Sequence, residues 1–159
     1  IIHNMKETKR TEKLFEDIYD GEPWIGVSLF DTLKDISAGQ ASRKIFPHWN
    51  SIWEIVNHII SWRLTVLQRV HGEVTISPED NFIEDITDTS DKAWKATLNR
   101  LEDSQQQWIK FLKKFRQKDF DNVYLHNGLS YYEHIHGIMQ HDAYHLGQIV
   151  MLAKSPDEK

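Results

Sequence analysis

Ser130-Tyr131-Tyr132-Glu133-His134-Ile135-His136-Gly137-Ile138-Met139-Gln140-His141-Asp142-Ala143-Tyr144-His145-Leu146-Gly147-Gln148-Ile149 is the stretch that decides the fold. Ser130 and Glu133 have capping-box spacing, so a helix starts here, and Pro156 marks its limit. Tyr131, Ile135, Ile138, Asp142, His145, Ile149 and Leu152 recur at steps of four and three. That stripe faces inward, His145 lies on it, and His141 lies beside it. Two imidazoles four apart stand one turn above the other and can chelate one metal ion. The spacing alone is weak evidence. Nine histidines give on the order of one-half such pair by chance. The position strengthens it, because polar rings on a core face need partners.

Three further helical blocks are expected upstream. The first covers about Thr8 to Ser37 and is bent or broken near Asp20-Gly21-Glu22-Pro23. Leu29, Leu33 and Ile36 give its second part an apolar stripe. A loop from Ala38 to Asn50 follows, with Gly39 as the helix stop. The second helix runs from about Ser51 to His71, with Ser51 and Glu54 as a capping box and Gly72 as a left-handed stop. The third runs from near Ser90 to near Gln117, with a seam of Trp94, Leu98, Leu101, Gln105, Trp108, Leu112 and Phe115. The connection Glu73 to Thr89 is longer than a tight turn needs, so it crosses over the bundle or covers a site. The fold class is all-α, a four-helix bundle with a long connection between helices two and three, as one domain over residues 5–155.

Composition narrows the function. The 159 residues are 40% apolar and 27% charged, with a net charge of -5 and no basic stripe, which argues against nucleic acid as a partner. No apolar run spans a bilayer and no secretory signal is evident. The chain has no cysteine, which excludes disulfides, thiolate catalysis by the protein and cysteine zinc sites. A cytoplasmic location is expected. Met5 is read as the native start, preceded by added residues.

A site that binds metal and substrate wants a third ligand and an open position. His58 falls mid-helix on the face of Ile55 and Trp62, and it is the candidate. The alternative for His58 is a core histidine bonded to a carbonyl or carboxylate. His134, one heptad before His141, is read as an outer partner or a polar boundary residue. His136, His126, His71, His48 and His3 are read as surface or loop residues. Tyr144 and Gln148 either bond a ligand, orient a histidine or pack at a helix interface. Gly147 is expected to allow close helix approach. Trp53, Trp62, Trp94 and Trp108 are read as core, with one or two lining a pocket.

The segment Gly137 to Ile149 resembles the fourth-helix signature of the DinB/YfiT-like superfamily. Ser51-Ile52-Trp53-Glu54-Ile55-Val56-Asn57-His58-Ile59-Ile60-Ser61-Trp62 is similar to its second-helix motif, and Gly21-Glu22-Pro23-Trp24 and Trp94 fit its members. The resemblance covers about residue 10 to residue 153. It implies a four-helix bundle with a divalent metal, zinc or nickel, held by His58, His141 and His145. It implies a homodimer, and activities that include transfer of low-molecular-weight thiols to electrophiles, thiol-dependent isomerisation and hydrolysis. A bound thiol would be deprotonated near neutral pH. With no protein cysteine, the sulfur would come from a small thiol of the bacillithiol, mycothiol or glutathione type. Partners would then be that thiol and an electrophile. A hydrolase would need a general base, for which Glu54 is the candidate; its alternative role is the helix cap. A third reading is a non-catalytic interaction protein stabilised by its metal.

Overall fold

The computed structural model describes residues 5–155, so His3 and Pro156 lie outside the described residues. Six α-helices follow one another: α1 (Glu7–Tyr19), α2 (Leu29–Leu33), α3 (Ala38–Ser42), α4 (Ile52–Val70), α5 (Asp91–Lys114) and α6 (Tyr131–Ala153). A short 3-10 turn, Gln117–Asp121, lies between α5 and α6. The four long helices α1, α4, α5 and α6 form the bundle. α4 packs on both α5 and α6, and α1 packs on the same two.

Local chemistry sets the helix ends. Ser51 and Ser130 each accept from the amide three residues on, while Glu54 and Glu133 return the bond to the cap amide. Gly72 closes α4 at φ 87°, a conformation that costs a side-chain-bearing residue more than glycine. The expected seam of α5 is largely realised, with Trp94, Leu101, Gln105, Trp108 and Leu112 buried. On α6, Ile135, Ile138, Asp142, Ile149 and Leu152 are buried in the expected stripe.

Several expectations are corrected. The first block is broken where expected, but its second helical part is shorter than expected. α1 stops at Tyr19, the chain turns through Gly21, and the helix resumes only over the five residues Leu29–Leu33 of α2. A Cβ on Gly21 would lie 2.8 Å from the Asp17 Cα, which is why glycine stands at this break. Gly39 is not a stop. Ser37 and Gln40 form a capping box that starts α3 inside the expected loop. The third helix ends at Lys114, short of Gln117. Gly147 faces open space, with no atom within 4 Å of an added Cβ, so it is not a close-packing glycine.

One charge pair sits at the bundle centre. Arg63 of α4 is fully buried. It donates from Nε to Asp142 Oδ2 of α6 (2.8 Å), and from its terminal nitrogens to Ser104 Oγ (3.2 Å) and Gln105 Oε1 (2.8 Å) of α5. Gln105 donates onward to the Phe15 carbonyl of α1 (3.0 Å). The network therefore reaches all four long helices. Arg63→Met leaves the Asp142 carboxylate buried without its cation. It is expected to cost about 3–5 kcal/mol in urea unfolding, with partial recovery when Asp142→Asn is added. Gly147→Ala, in contrast, is expected to raise stability by up to about 1 kcal/mol, because alanine is the better helix former and meets nothing.

Candidate metal centre

The three histidines expected from sequence converge where α4 faces α6. His58 is buried, and His141 and His145 are half-buried. One ring nitrogen from each lies within 4.8 Å of the other two. The ring centroids are 4.4 to 4.9 Å apart.

Hydrogen bonds define the ring tautomers. His58 Nδ1 lies 2.7 Å from the Asn81 carbonyl oxygen, which can only accept. Nδ1 therefore carries the hydrogen, and the Nε2 lone pair is left for the cluster. His145 Nδ1 lies 2.6 Å from Gln148 Oε1, so the same logic applies. Gln148 Nε2 in turn donates to the Tyr144 hydroxyl at 3.1 Å. Gln148 thus orients a histidine, while Tyr144 is 65% exposed and supports Gln148 from outside.

His141 is the unresolved member. Its Nε2 faces His58 Nε2 at 2.9 Å. Its Nδ1 is buried without a hydrogen-bond partner, 3.6 Å from Asp142 Oδ1, which is also buried and unpartnered. With the hydrogen on Nε2, the Nδ1 lone pair confronts a carboxylate oxygen. With the hydrogen on Nδ1, two Nε2 lone pairs confront each other. Either neutral tautomer leaves one repulsive contact. A cation among the Nε2 atoms removes both, and lets Nδ1–H point at Asp142, as the outer carboxylate of a metal-bound histidine does.

Burial and the neighbouring His141 push His145 down to about 4, against the Gln148 bond that raises it. Burial also lowers His58, with His141 adding to it, while the Asn81 carbonyl works in the opposite direction. Both rings are therefore neutral at pH 7, as ligands must be.

The remaining sequence candidates fall elsewhere. Glu54 is 1% exposed and both its oxygens are engaged: Oε2 accepts from the Ser51 amide (2.6 Å) and Oε1 pairs with Lys44 (2.9 Å). Burial alone would push its carboxyl up, but the Ser51 bonds and Lys44 outweigh it and hold it below the ordinary range. Glu54 is a cap and does not take part in the cluster. His134 is buried two turns before His141. It lies 3.4 Å from Asn127 Oδ1 and edge-on to the Tyr124 ring, away from the cluster. His71, His126 and His48 are exposed, but His136 is half-buried against Tyr132. Trp53, Trp94 and Trp108 are core, whereas Trp62 is half-buried and forms a wall of the site, 6.1 Å from His141 between ring centroids.

Sequence reasoning missed Asn81 and Arg63. The long connection does cover the site, as one of its two expected roles, but nothing singled out Asn81 within it. Pro78-Glu79-Asp80-Asn81 is a turn signal, and asparagine is a residue that tolerates left-handed backbone. Arg63 lies in the run Ile59 to Val70, where a lone charge on an apolar face called for a buried acid. A cavity of about 380 Å³ opens beside Gln148, lined by His48, Trp49, Asn50, Ile55, Tyr144 and Met151 among others.

The fold and site define a helical bundle with a three-histidine donor set between two of its long helices. Residues 27–149 match the family model of the DinB superfamily, and the chain belongs to that superfamily. Comparison with curated proteins and with solved structures gave no match. No described helix is long and apolar enough to cross a membrane.

His58 and His145 take up protons less readily folded than unfolded. As pH falls, the unfolded chain binds more protons and the folded state loses ground. Metal-free protein is expected to lose stability as pH drops from about 6.5 to about 4. His145→Gln should flatten that slope, read from urea midpoints in chelator-treated samples.

Proposed function

We propose that His58, His141 and His145 hold one divalent metal ion, zinc or nickel, and that the protein transfers a low-molecular-weight thiol to an electrophilic small molecule. The observation that carries the metal reading is the cluster's unmet need for a positive charge. Two neutral rings keep Nε2 lone pairs, one nitrogen of each histidine lies within 4.8 Å of the other two, and the third ring meets repulsion in either neutral tautomer. Nitrogen donors of this kind suit zinc and nickel. When bound, such an ion would lower the pKa of a thiol placed on its open position, so that the thiolate is present at neutral pH.

The chain's own residues have clear parts. Asn81 and Gln148 accept from Nδ1 of His58 and His145 and leave the Nε2 atoms of both rings with lone pairs to offer. Asp142 Oδ1 stands ready for the His141 Nδ1 hydrogen. Trp62 and Phe82, with ring centroids 5.5 Å apart, shield one side from water. The cavity beside Gln148 has aromatic and thioether walls, which suits an uncharged organic electrophile.

The chain has no cysteine, so the sulfur comes from the small thiol. Transfer is favoured over hydrolysis because Glu54, the candidate base, is committed to its cap and to Lys44. A homodimer is part of the same proposal. Leu14, Trp24 and Ile25 are exposed side by side around a shallow apolar cleft that a second copy would cover.

Elemental analysis of tag-free protein is expected to find about one equivalent of zinc or nickel, lost in His141→Ala. Turnover of a bromobimane-type or halonitrobenzene electrophile should then require added bacillithiol, mycothiol or glutathione. Metal with no thiol-dependent turnover would favour the hydrolytic or the non-catalytic reading. No metal after reconstitution would make the histidines core residues.

A further inference from the structure

The carbonyl that sets the His58 tautomer belongs to an unusual piece of backbone. Asn81 and Phe82 both have left-handed φ, 55° and 60°. These are the two residues other than glycine with positive φ among the described residues. Side-chain-bearing residues adopt this region at a cost, and bulky ones rarely. Two in succession persist only where the surroundings over-determine them, and such places concentrate at functional sites.

The surroundings here do so. The turn is closed by the Asn81 amide donating to the Pro78 carbonyl (3.1 Å) and the Ile83 amide donating to the Asp80 carbonyl (3.0 Å). The Phe82 amide donates to Asp80 Oδ1 (2.9 Å). Trp62 Nε1 donates to Asn81 Oδ1 (3.0 Å), and Phe82 sets its ring edge-on against Trp62. Earlier in the connection, the Arg69 guanidinium donates to Thr75 Oγ1 (2.8 Å) and Ser77 Oγ (3.1 Å) while lying over the same Trp62 ring. The segment is pinned to α4 on both sides of the carbonyl that meets His58.

We propose that Asn81 is a positioning residue: its left-handed backbone places its carbonyl on His58 Nδ1, locks the ring in the Nδ1–H tautomer and so delivers the Nε2 lone pair to the histidine cluster. The acting group is the main-chain carbonyl, so the substitution series follows backbone preference and not side-chain chemistry. Glycine keeps the left-handed turn while losing the bond to Trp62. Alanine adopts it reluctantly, and the β-branched valine most reluctantly. The metal part of the inference rests on the reading of the cluster as a metal site, but the tautomer part does not.

The test uses the full chain. Long-range proton–nitrogen spectra of the metal-free protein read the His58 tautomer directly, and zinc titration against a chromophoric chelator reads affinity. Wild type and Asn81→Gly should both show His58 as Nδ1–H, with zinc affinity within about threefold of each other. Asn81→Val should show mixed tautomers and bind zinc about 10–100-fold more weakly, the usual effect of losing a ligand's outer partner. Asn81→Ala should fall between them, and it carries the test if circular dichroism shows the valine variant unfolded. An Nε2–H tautomer in wild type would overturn the proposal. So would wild-type behaviour in both folded alanine and valine variants, or a glycine variant as impaired as valine. Should wild type bind no zinc, the metal reading fails, and the tautomer series alone still decides the role of Asn81.

Discussion

A buried guanidinium cannot be left alone, and Arg63 is placed where every long helix must answer it. Asp142 supplies the counter-charge from α6, Ser104 and Gln105 complete the coordination from α5, and Gln105 passes the bonding on to α1. Apolar packing is non-directional and specifies a register less tightly than directional bonds do. A five-donor fork accepts few arrangements. Arg63 therefore fixes how α4 and α6 meet, and those are the helices that carry the histidines. The same Asp142 uses its second oxygen behind His141. The charge pair that sets the helix register and the outer support of the site are thus one group.

The histidine cluster is held in tension with its own hydrogen bonding. Asn81 and Gln148 commit two rings to donating outward and accepting inward. That leaves His141 between a lone pair on one side and a carboxylate on the other. A structural histidine in a protein core settles into donor–acceptor pairs at both nitrogens. His58 combines both roles, since its Nδ1 is bonded to a carbonyl while its Nε2 meets another imidazole nitrogen, His141 Nε2. A cation held among the three rings would relieve both contacts.

The routes to the site are unequal. One wall is the connection between α4 and α5, clamped against Trp62 by Phe82, Asn81 and Arg69. The other side leads past Gln148 and Tyr144 toward a cavity walled by Trp49, Ile55 and Met151. Gln148 belongs to both the cavity and the His145 hydrogen bond, so whatever enters the cavity lies one side chain from the His145 ring.

Helices α4, α5 and α6 were legible in the sequence because their information is local. Capping boxes at Ser51 and Ser130, the left-handed Gly72 and the three-four periodicity each act within a few residues. The i, i+4 relation of His141 and His145 was legible for the same reason, and the family motifs brought His58 to them. The helix α2 lies where Leu29 and Leu33 announced an apolar stripe, but the five-residue α3 was not legible inside the expected loop, because helices that short are held by packing more than by propensity. Gly147 misled because a glycine in a helix looks the same in sequence whether its bare side meets a neighbour or water. Arg63 with Asp142, 79 residues apart, and Asn81 with His58, 23 apart, were decided by tertiary structure alone. Each is a directional bond between distant segments, and its geometry exists only once the helices have packed.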